Sequence, residues 1–522
     1  MEKTAIEKKK KFPSKRFWAW FFGIFMLLAG NLVFFLTVWM ANKYDHVYID
    51  QFIYQMKAPA TGAERTLLGS GVVRVGVFGI LLTVAEIYAY LLCSGFFKNK
   101  FRDAAKYLKI CSSGFCRFIS RKAVTITSWI LLFSLGYFVI SLDVVKYIEY
   151  QYADSQLIQR EYVDPFSVEL EFPEEKRNLI FIFLESMETT YAEPEAGGPI
   201  TENVIVELSE LGDEYINFSN DDNLGGALTY TGTTWTAAAM VTQTSGLIVQ
   251  VPLDAGGYGG DSPYMPGVNS IGEVLEKEGY NQVLLVGSDA RFAGRDTYFT
   301  EHGNYQILGT EELKAQGRLP EDYREFWGFE DEKLFEFAKE ELTRLSQEGK
   351  PFNLTMLTCD THFPDGYKCH LCQEEYGEQY SNVMRCSARQ VKAFISWIQE
   401  QDFYENTTIV LSGDHLTMDP NYLQDVNADY TRTIYNCFIN SAITPTKEQE
   451  KNRLFGTFDI FPTTLAAMGV KIEGDRLGLG TNLFSGKQTL TEHYSHEILY
   501  EELQKKSEFY NTTFLGMEPN EP

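Results

Sequence analysis

Glu185 ends the apolar run Leu179-Ile180-Phe181-Ile182-Phe183-Leu184, and Asp414-His415 follows Gly413 at the end of a second run, Thr408-Ile409-Val410-Leu411-Ser412. A carboxylate closing a wholly apolar strand must be paired or hold a cation, because leaving it alone there is expensive. Neighbouring residues of an extended chain point to opposite sides, so Asp414 and His415 reach one ion only where the strand has turned, which Gly413 permits. Between the two runs lies Gly232-Thr233-Thr234-Trp235-Thr236, opening onto Ala237-Ala238-Ala239-Met240. Thr233 is the candidate nucleophile: free N–H groups at a helix start suit a phosphate, and a nearby divalent cation would activate its hydroxyl. Thr233, Thr234 or Thr236 would serve equally as a simple N-cap. In Asp360-Thr361-His362-Phe363-Pro364-Asp365-Gly366, His362 can donate to a phosphate oxygen or act as acid and base. Arg295, in Phe292-Ala293-Gly294-Arg295-Asp296, offers a forked guanidinium for phosphate, or a surface pair with Asp296. Carboxylates, an imidazole and a helix-start hydroxyl are the parts of a metal-dependent phosphoryl-transfer centre.

The elements that must position these residues are legible in outline. Residues 179–184, 282–286, 352–358 and 407–412 read as strands, and 203–212, 235–244, 270–279, 331–347, 386–401 and 458–468 as helices. Such alternation predicts an α/β domain with a mainly parallel sheet and helices on both faces. Sheets of this kind place ligands beyond the C-terminal strand ends, where the motifs fall.

Charge divides the chain. Residues 1–150 carry 20 Lys and Arg against 9 Asp and Glu, whereas the rest carries 26 against 62. So acidic a remainder argues against nucleic acid as a partner. Stretches at about 17–40, 71–96 and 123–142 are apolar and long enough to span a bilayer. Seven Lys and Arg precede the first, including Lys8 to Lys11, and eight lie in 97–122, whereas 41–70 holds only Lys43, Lys57 and Arg65. The positive-inside bias therefore predicts a multi-pass protein of the cell membrane, its N-terminus cytoplasmic and everything after about 143 extracytoplasmic. The expected organisation is a membrane anchor over 1–143, a juxtamembrane connector over 144–177, a catalytic domain over 178–505 and a flexible tail over 506–522. Arg74, near the end of the second span, reads as a snorkelling side chain, and the deeper Glu86 fits either a packing partner or a role in lipid handling.

Cys93, Cys111 and Cys116 lie in or near the cytoplasmic side and are expected as free thiols. Cys359, Cys369, Cys372, Cys386 and Cys437 belong to the outer part, where disulfides persist. Cys369-His370-Leu371-Cys372 resembles half a zinc site, but no second such pair follows. The expectation is a disulfide from Cys369 or Cys372 to Cys386, clipping a loop beside the site.

Taken in order, the segments around Glu185, Gly232–Thr236, Arg295, His362, Asp414-His415, Asp459-Ile460-Phe461-Pro462-Thr463 and Gly478-Leu479-Gly480-Thr481-Asn482-Leu483-Phe484 resemble the sulfatase/alkaline phosphatase superfamily over about residues 178–485. They look most like its membrane phosphoglycerol transferases, which include phosphoglycerol transferase I and the lipoteichoic acid synthases. The resemblance implies that Glu185, Thr233, Asp414 and His415 bind one divalent ion, usually Mn²⁺, although the donor set also suits Mg²⁺ or Zn²⁺. It implies that Thr233 takes glycerol phosphate from phosphatidylglycerol, releasing diacylglycerol, and passes it to a glycan, glycolipid or polymer acceptor. Arg295 and His362 match residues that hold the phosphoglycerol group. The lipoteichoic acid synthases carry a Trp where this chain has Ala293, a His that 286–289 lacks, and five spans rather than three, which favours the phosphoglycerol transferase I side. A sulfatase would need Cys or Ser in a Cys-x-Pro-x-Arg setting, which Thr233–Thr236 does not provide. The alternatives are a phosphoethanolamine transferase of the same superfamily and a catalytically idle, membrane-anchored binding protein.

Overall fold

The computed structural model describes residues 15–45, 48–97, 111–427 and 429–519. Lys8 to Lys11 and most of the second basic loop lie outside them. The chain forms two compact units, one of residues 1–42 with 65–145, the other of 43–64 with 146–522. The expected anchor ended at 143; residues 43–64, placed in it by hydropathy, instead pack within the second unit.

Among the described residues, three helices are long and apolar enough to cross a membrane: Trp18–Lys43, Leu68–Cys93 and Gly114–Ser141. The first belongs to α1 (Lys15–Lys43). The second runs through a π-helical turn, Val72–Val77, into a regular helix Phe78–Cys93. The third starts nine residues before the expected boundary at 123 because Ser113 caps it, accepting from Cys116 N at 3.2 Å. Glu86 has a partner among these helices: its Oε2 accepts from Asn31 Nδ2 at 2.7 Å, and the same amide donates to Thr83 Oγ1 at 3.0 Å.

The second unit is built on a seven-stranded sheet. Its strands are β1 (Asn178–Leu184), β2 (Gly226–Ala227), β3 (Asn281–Val286), β4 (Gln306–Leu308), β5 (Phe352–Leu357), β6 (Thr407–Gly413) and β7 (Ile434–Ile439). In space they run β2-β7-β6-β1-β5-β3-β4. The five from β6 to β4 are parallel, and β7 and β2 add an antiparallel edge. This edge lay outside the expected strands, because Ile-Tyr-Asn-Cys-Phe-Ile mixes polar and apolar residues without a clean period.

Every residue of β1 is buried, so it reads as a continuous apolar run rather than an alternation. Its side chains nevertheless sort by parity. Leu179, Phe181 and Phe183 enter one core with helices α2 (Thr236–Ser245), α3 (Ile271–Lys277) and α4 (Ile460–Ala467). Ile180, Ile182 and Leu184 enter the other with α-helices Val206–Glu214, Asp331–Ser346 and Gln379–Gln399. Each such side chain fully buried contributes about 1.5–3 kcal/mol. The last of these helices begins seven residues before its expected start at 386. The tail expected to be flexible over 506–522 is instead anchored: Tyr510 and Phe514 are buried, and Tyr510 Oη donates to Ile248 O at 2.9 Å.

Asp459 ties the closing segments together. Its Oδ1 accepts from Thr481 N at 2.6 Å and its Oδ2 from Gly456 N at 2.7 Å. Burial, only partly offset by these N–H donors, pushes its carboxyl up to about 7. Between the unfolded value near 4 and this one the folded state holds a proton that the unfolded chain has lost, so stability falls as pH rises through that window. The thermal midpoint of Asp459→Asn is expected to fall less steeply than wild type between pH 5 and 7, even though the amide cannot accept both N–H groups. Equal slopes would refute this.

Candidate metal and phosphoryl-transfer site

Three ligand-bearing positions meet where β1 and β6 end. Glu185, Asp414 and His415 are buried, and their donor atoms lie within 4.8 Å of one another. Ser186, in the left-handed region at φ 52°, turns the chain sharply after β1. Its N–H donates to Asp414 Oδ1 at 2.7 Å, and its hydroxyl donates to Glu185 Oε1 at 2.9 Å. The His415 N–H also donates to Asp414 Oδ1, at 2.7 Å. His415 Nδ1 donates to Leu416 O at 2.8 Å, so Nε2 is the nitrogen that faces the carboxylates, and it offers a lone pair when the ring is neutral. That nitrogen lies 3.6 Å from Glu185 Oε1 and 3.3 Å from Asp414 Oδ2. Asp414 Oδ2 is buried without a hydrogen-bond donor. Burial, with Asp414 close by, pushes the Glu185 carboxyl up. Two buried carboxylates and an imidazole lone pair, one oxygen unserved, fit a divalent cation.

The threonines separate cleanly. Thr233, expected as nucleophile and ligand, is not brought to this cluster. Its Oγ1 donates to Tyr230 O and accepts from Tyr230 N, both at 2.9 Å, so its hydroxyl is spent inside a buried turn. Gly232 makes that turn at φ 69°, where a Cβ would lie 2.3 Å from Val249 O. Trp235 occupies the N-cap and α2 starts only at Thr236. The Thr236 hydroxyl donates to Glu185 Oε2 at 3.2 Å and lies 3.2 Å from His415 Nε2. Three residues along the chain, the start of α2 brings to the cluster the hydroxyl of 236 rather than that of 233.

Arg295 and His362 complete the surroundings. Arg295 is buried; its Nη2 donates to Ser288 Oγ at 2.9 Å and Asp289 O at 2.8 Å, and its Nε to Phe292 O at 3.1 Å. Its Nη1 is buried with no partner, an unsatisfied donor of the kind an anion would serve. Burial pulls its guanidinium down, while Cys359 and Glu185 pull the other way. Burial likewise holds His362 below the usual histidine range, despite Glu185, so its imidazole is neutral near pH 7. Its Nδ1 is buried and unpartnered. Trp327 stands between the two, its ring centroid 4.3 Å from that of His362 and 5.2 Å from the Arg295 guanidinium.

The segment 43–64 contributes to these walls. Its helix Ile49–Lys57 carries Tyr54, whose Oη donates to Ala293 O at 2.7 Å and whose ring packs 5.0 Å from that of Trp235. Ala293 N donates to Pro59 O at 2.9 Å, Trp327 Nε1 to Gly62 O at 3.2 Å, and Thr231 Oγ1 to Asp50 Oδ2 at 3.0 Å. The residues alone did not single out the Thr236 hydroxyl beside the cluster, Trp327 or this segment; of the three, only Thr236 sat inside a motif.

Residues 177–470 match the family model for Sulfatase. The chain belongs to the sulfatase family. Relatives of this sulfatase-family chain include Phosphoglycerol transferase I from Escherichia coli O139:H28 and from Shigella boydii serotype 18, each 32% identical over 327 residues, 61% of this chain and 40% of theirs. The chain thus spans about two fifths of the length of the curated relatives it matches. Similar solved structures include the lipoteichoic acid synthase LtaP from Listeria monocytogenes, with a TM-score of 0.48 and 17% identity, covering 63% of this chain and 80% of that one. The lipooligosaccharide phosphoethanolamine transferase A from Neisseria meningitidis has a TM-score of 0.43 and 13% identity, covering 84% and 95%.

In this sulfatase-family site, the loop after His415 is held by an ion pair between the buried Glu188 and the half-buried Arg432. Arg432 Nε and Nη2 donate to Glu188 Oε2 at 2.8 Å and Oε1 at 2.7 Å, and Thr417 N donates to Oε1 at 3.0 Å. Arg432→Met strands the Glu188 charge and is expected to cost about 3–5 kcal/mol. A thermal midpoint unchanged from wild type would contradict that; adding Glu188→Gln should recover part of the loss.

Proposed function

We propose that this chain transfers a phosphoglycerol group from phosphatidylglycerol to an extracytoplasmic glycan, glycolipid or polymer, through a phosphoglyceryl intermediate on Thr236. The observation that carries this reading is the Thr236 hydroxyl, 3.2 Å from both Glu185 and His415 at the start of a helix. The likeness to proteins named Phosphoglycerol transferase I supports the group transferred. Glu185, Asp414 and His415 would hold one divalent cation, with Thr236 in the place first expected of Thr233. Such a cation, when bound, lowers the pKa of an adjacent hydroxyl and offsets charge on the phosphoryl group.

The chain's own residues do the rest. Thr236 Oγ1 forms the new bond to phosphorus as the bond to the diacylglycerol oxygen breaks. Helix N–H groups and the free Nη1 of Arg295 take up charge on the phosphoryl oxygens. His362, with a free ring nitrogen, would exchange the proton between the entering and leaving oxygens. An acceptor alcohol then attacks the same phosphorus, regenerating Thr236. The three apolar helices suit a donor that is itself a membrane lipid.

The test follows diacylglycerol release from labelled phosphatidylglycerol by the full-length protein with added Mn²⁺, together with intact mass. Release accompanied by a phosphoglyceryl adduct mapped to Thr236 is the expected result. Turnover of phosphatidylethanolamine instead would assign the chain to phosphoethanolamine transfer. Inactivity on both lipids, with no metal bound, would leave a binding protein.

A further inference from the structure

A second cluster of donors, independent of the transfer site, lies beyond the loop that carries His362. Cys369, Cys372 and Cys386 are free thiols whose sulfurs lie within 4.8 Å of one another. Cys369 Sγ is 3.6 Å from Cys372 Sγ and 3.8 Å from Cys386 Sγ. The disulfide expected to join Cys369 or Cys372 to Cys386 is therefore not the arrangement found. A disulfide draws two sulfurs to about 2.05 Å and leaves a third aside, whereas here three converge around one point.

The spacing has a chemical meaning. Zinc binds thiolate sulfur at about 2.3 Å in a tetrahedron, which sets neighbouring sulfurs about 3.8 Å apart. The local fold supports the same reading. Cys369 and Cys372 share a tight turn in which Cys372 N donates to Cys369 O at 3.2 Å. Cys386 comes from the helix Gln379–Gln399, and one turn further on Gln390 Nε2 points at its sulfur from 3.6 Å and at that of Cys369 from 4.0 Å. An amide donor behind the sulfurs is what thiolate ligands need. Cys369 and Cys386 are buried and Cys372 is half-buried, so the cluster is shielded but open on one side. His370, between the paired cysteines, is exposed and turned to Glu332 at 3.3 Å.

We propose that Cys369, Cys372 and Cys386 form a structural site for a zinc ion, with three thiolates from the chain and a small donor such as water at the fourth vertex. Binding releases the thiol protons and fastens the loop 366–378 to the helix Gln379–Gln399. The preference for zinc follows from ligand softness. Thiolates select zinc, whereas the two carboxylates and one imidazole at Glu185, Asp414 and His415 also suit harder ions such as Mn²⁺, so the chain would carry two separate ions.

Elemental analysis of the full-length, detergent-solubilised protein, prepared without added metal, tests this. The expected result is about one zinc per chain, released by a thiol-specific mercurial, lost in Cys386→Ser and kept in Glu185→Gln. Zinc retained by Cys386→Ser but lost in Glu185→Gln would overturn the assignment, because the ion would then belong to the other cluster. A zinc-free wild type whose intact mass is lighter by two hydrogens would overturn it in favour of a disulfide. Should Cys386→Ser fail to fold, cobalt exchanged into the wild type decides. Thiolate-to-cobalt charge-transfer bands that vanish when zinc is restored support the site, and their absence refutes it.

Discussion

Thr236→Ala is expected to lower diacylglycerol release by at least about 10³-fold and to abolish the covalent adduct, because it removes the hydroxyl proposed as the nucleophile. Thr233→Ala gives the contrasting result. It removes two hydrogen bonds that close the turn on Tyr230, costing about 1–2 kcal/mol of stability, while leaving the reacting hydroxyl in place. Its activity should stay within about tenfold of wild type, a loss of positioning rather than of chemistry. Thr236→Ser, which keeps a hydroxyl on the same helical position, should recover part of the rate. Rates measured side by side on the three variants, with adduct mapping, separate the readings. If Thr233→Ala were the dead enzyme and Thr236→Ala the active one, the hydroxyl assignment would be wrong.

Glu185→Gln should have an effect of the same order through a different route. The substitution keeps the shape of the side chain but removes one of two buried negative charges and a strong oxygen donor. Bound divalent ion at this cluster is expected to fall to background in elemental analysis, and activity by at least about 10³-fold, without rescue by added Mn²⁺. Stability should move the other way in metal-stripped protein. There Glu185 and Asp414 face each other without a cation, and neutralising one of them relieves a buried charge, so the stripped variant should unfold at a higher temperature than stripped wild type. Full ion content and activity in Glu185→Gln would exclude the cluster as the metal centre.

Much of this arrangement could be read from residues alone, for identifiable reasons. The strands that carry Glu185 and Asp414 are continuous apolar runs closed by charges, a pattern that buried parallel strands require. What the residues alone do not reveal is geometry over a span of three positions. Thr233, Thr234 and Thr236 are chemically alike, and only the Gly232 turn and the Tyr230 backbone decide which hydroxyl is consumed. Distance along the chain hid the rest. Trp327 lies between Arg295 and His362 without belonging to either motif, and Cys386 is separated from the Cys369-His370-Leu371-Cys372 turn by a loop that gives no spacing signal. The antiparallel strand β7 is not legible because its polar residues serve partners, with Asn436 donating to Phe218 O at 2.8 Å.

The segment 43–64 has a consequence for how the protein can be taken apart. Hydropathy suggests a cut near residue 145, yielding a soluble fragment with every catalytic candidate. Such a fragment would lack Tyr54, a fully buried side chain hydrogen-bonded to Ala293 and Tyr264 and packed on Trp235. Losing an aromatic of this size from a core typically costs about 3–5 kcal/mol, and here the vacated space would border both the start of α2 and the Arg295 loop. The site is one folded object threaded on a chain that leaves it for two apolar helices and then returns. Dividing the polypeptide at the membrane boundary would divide the site with it.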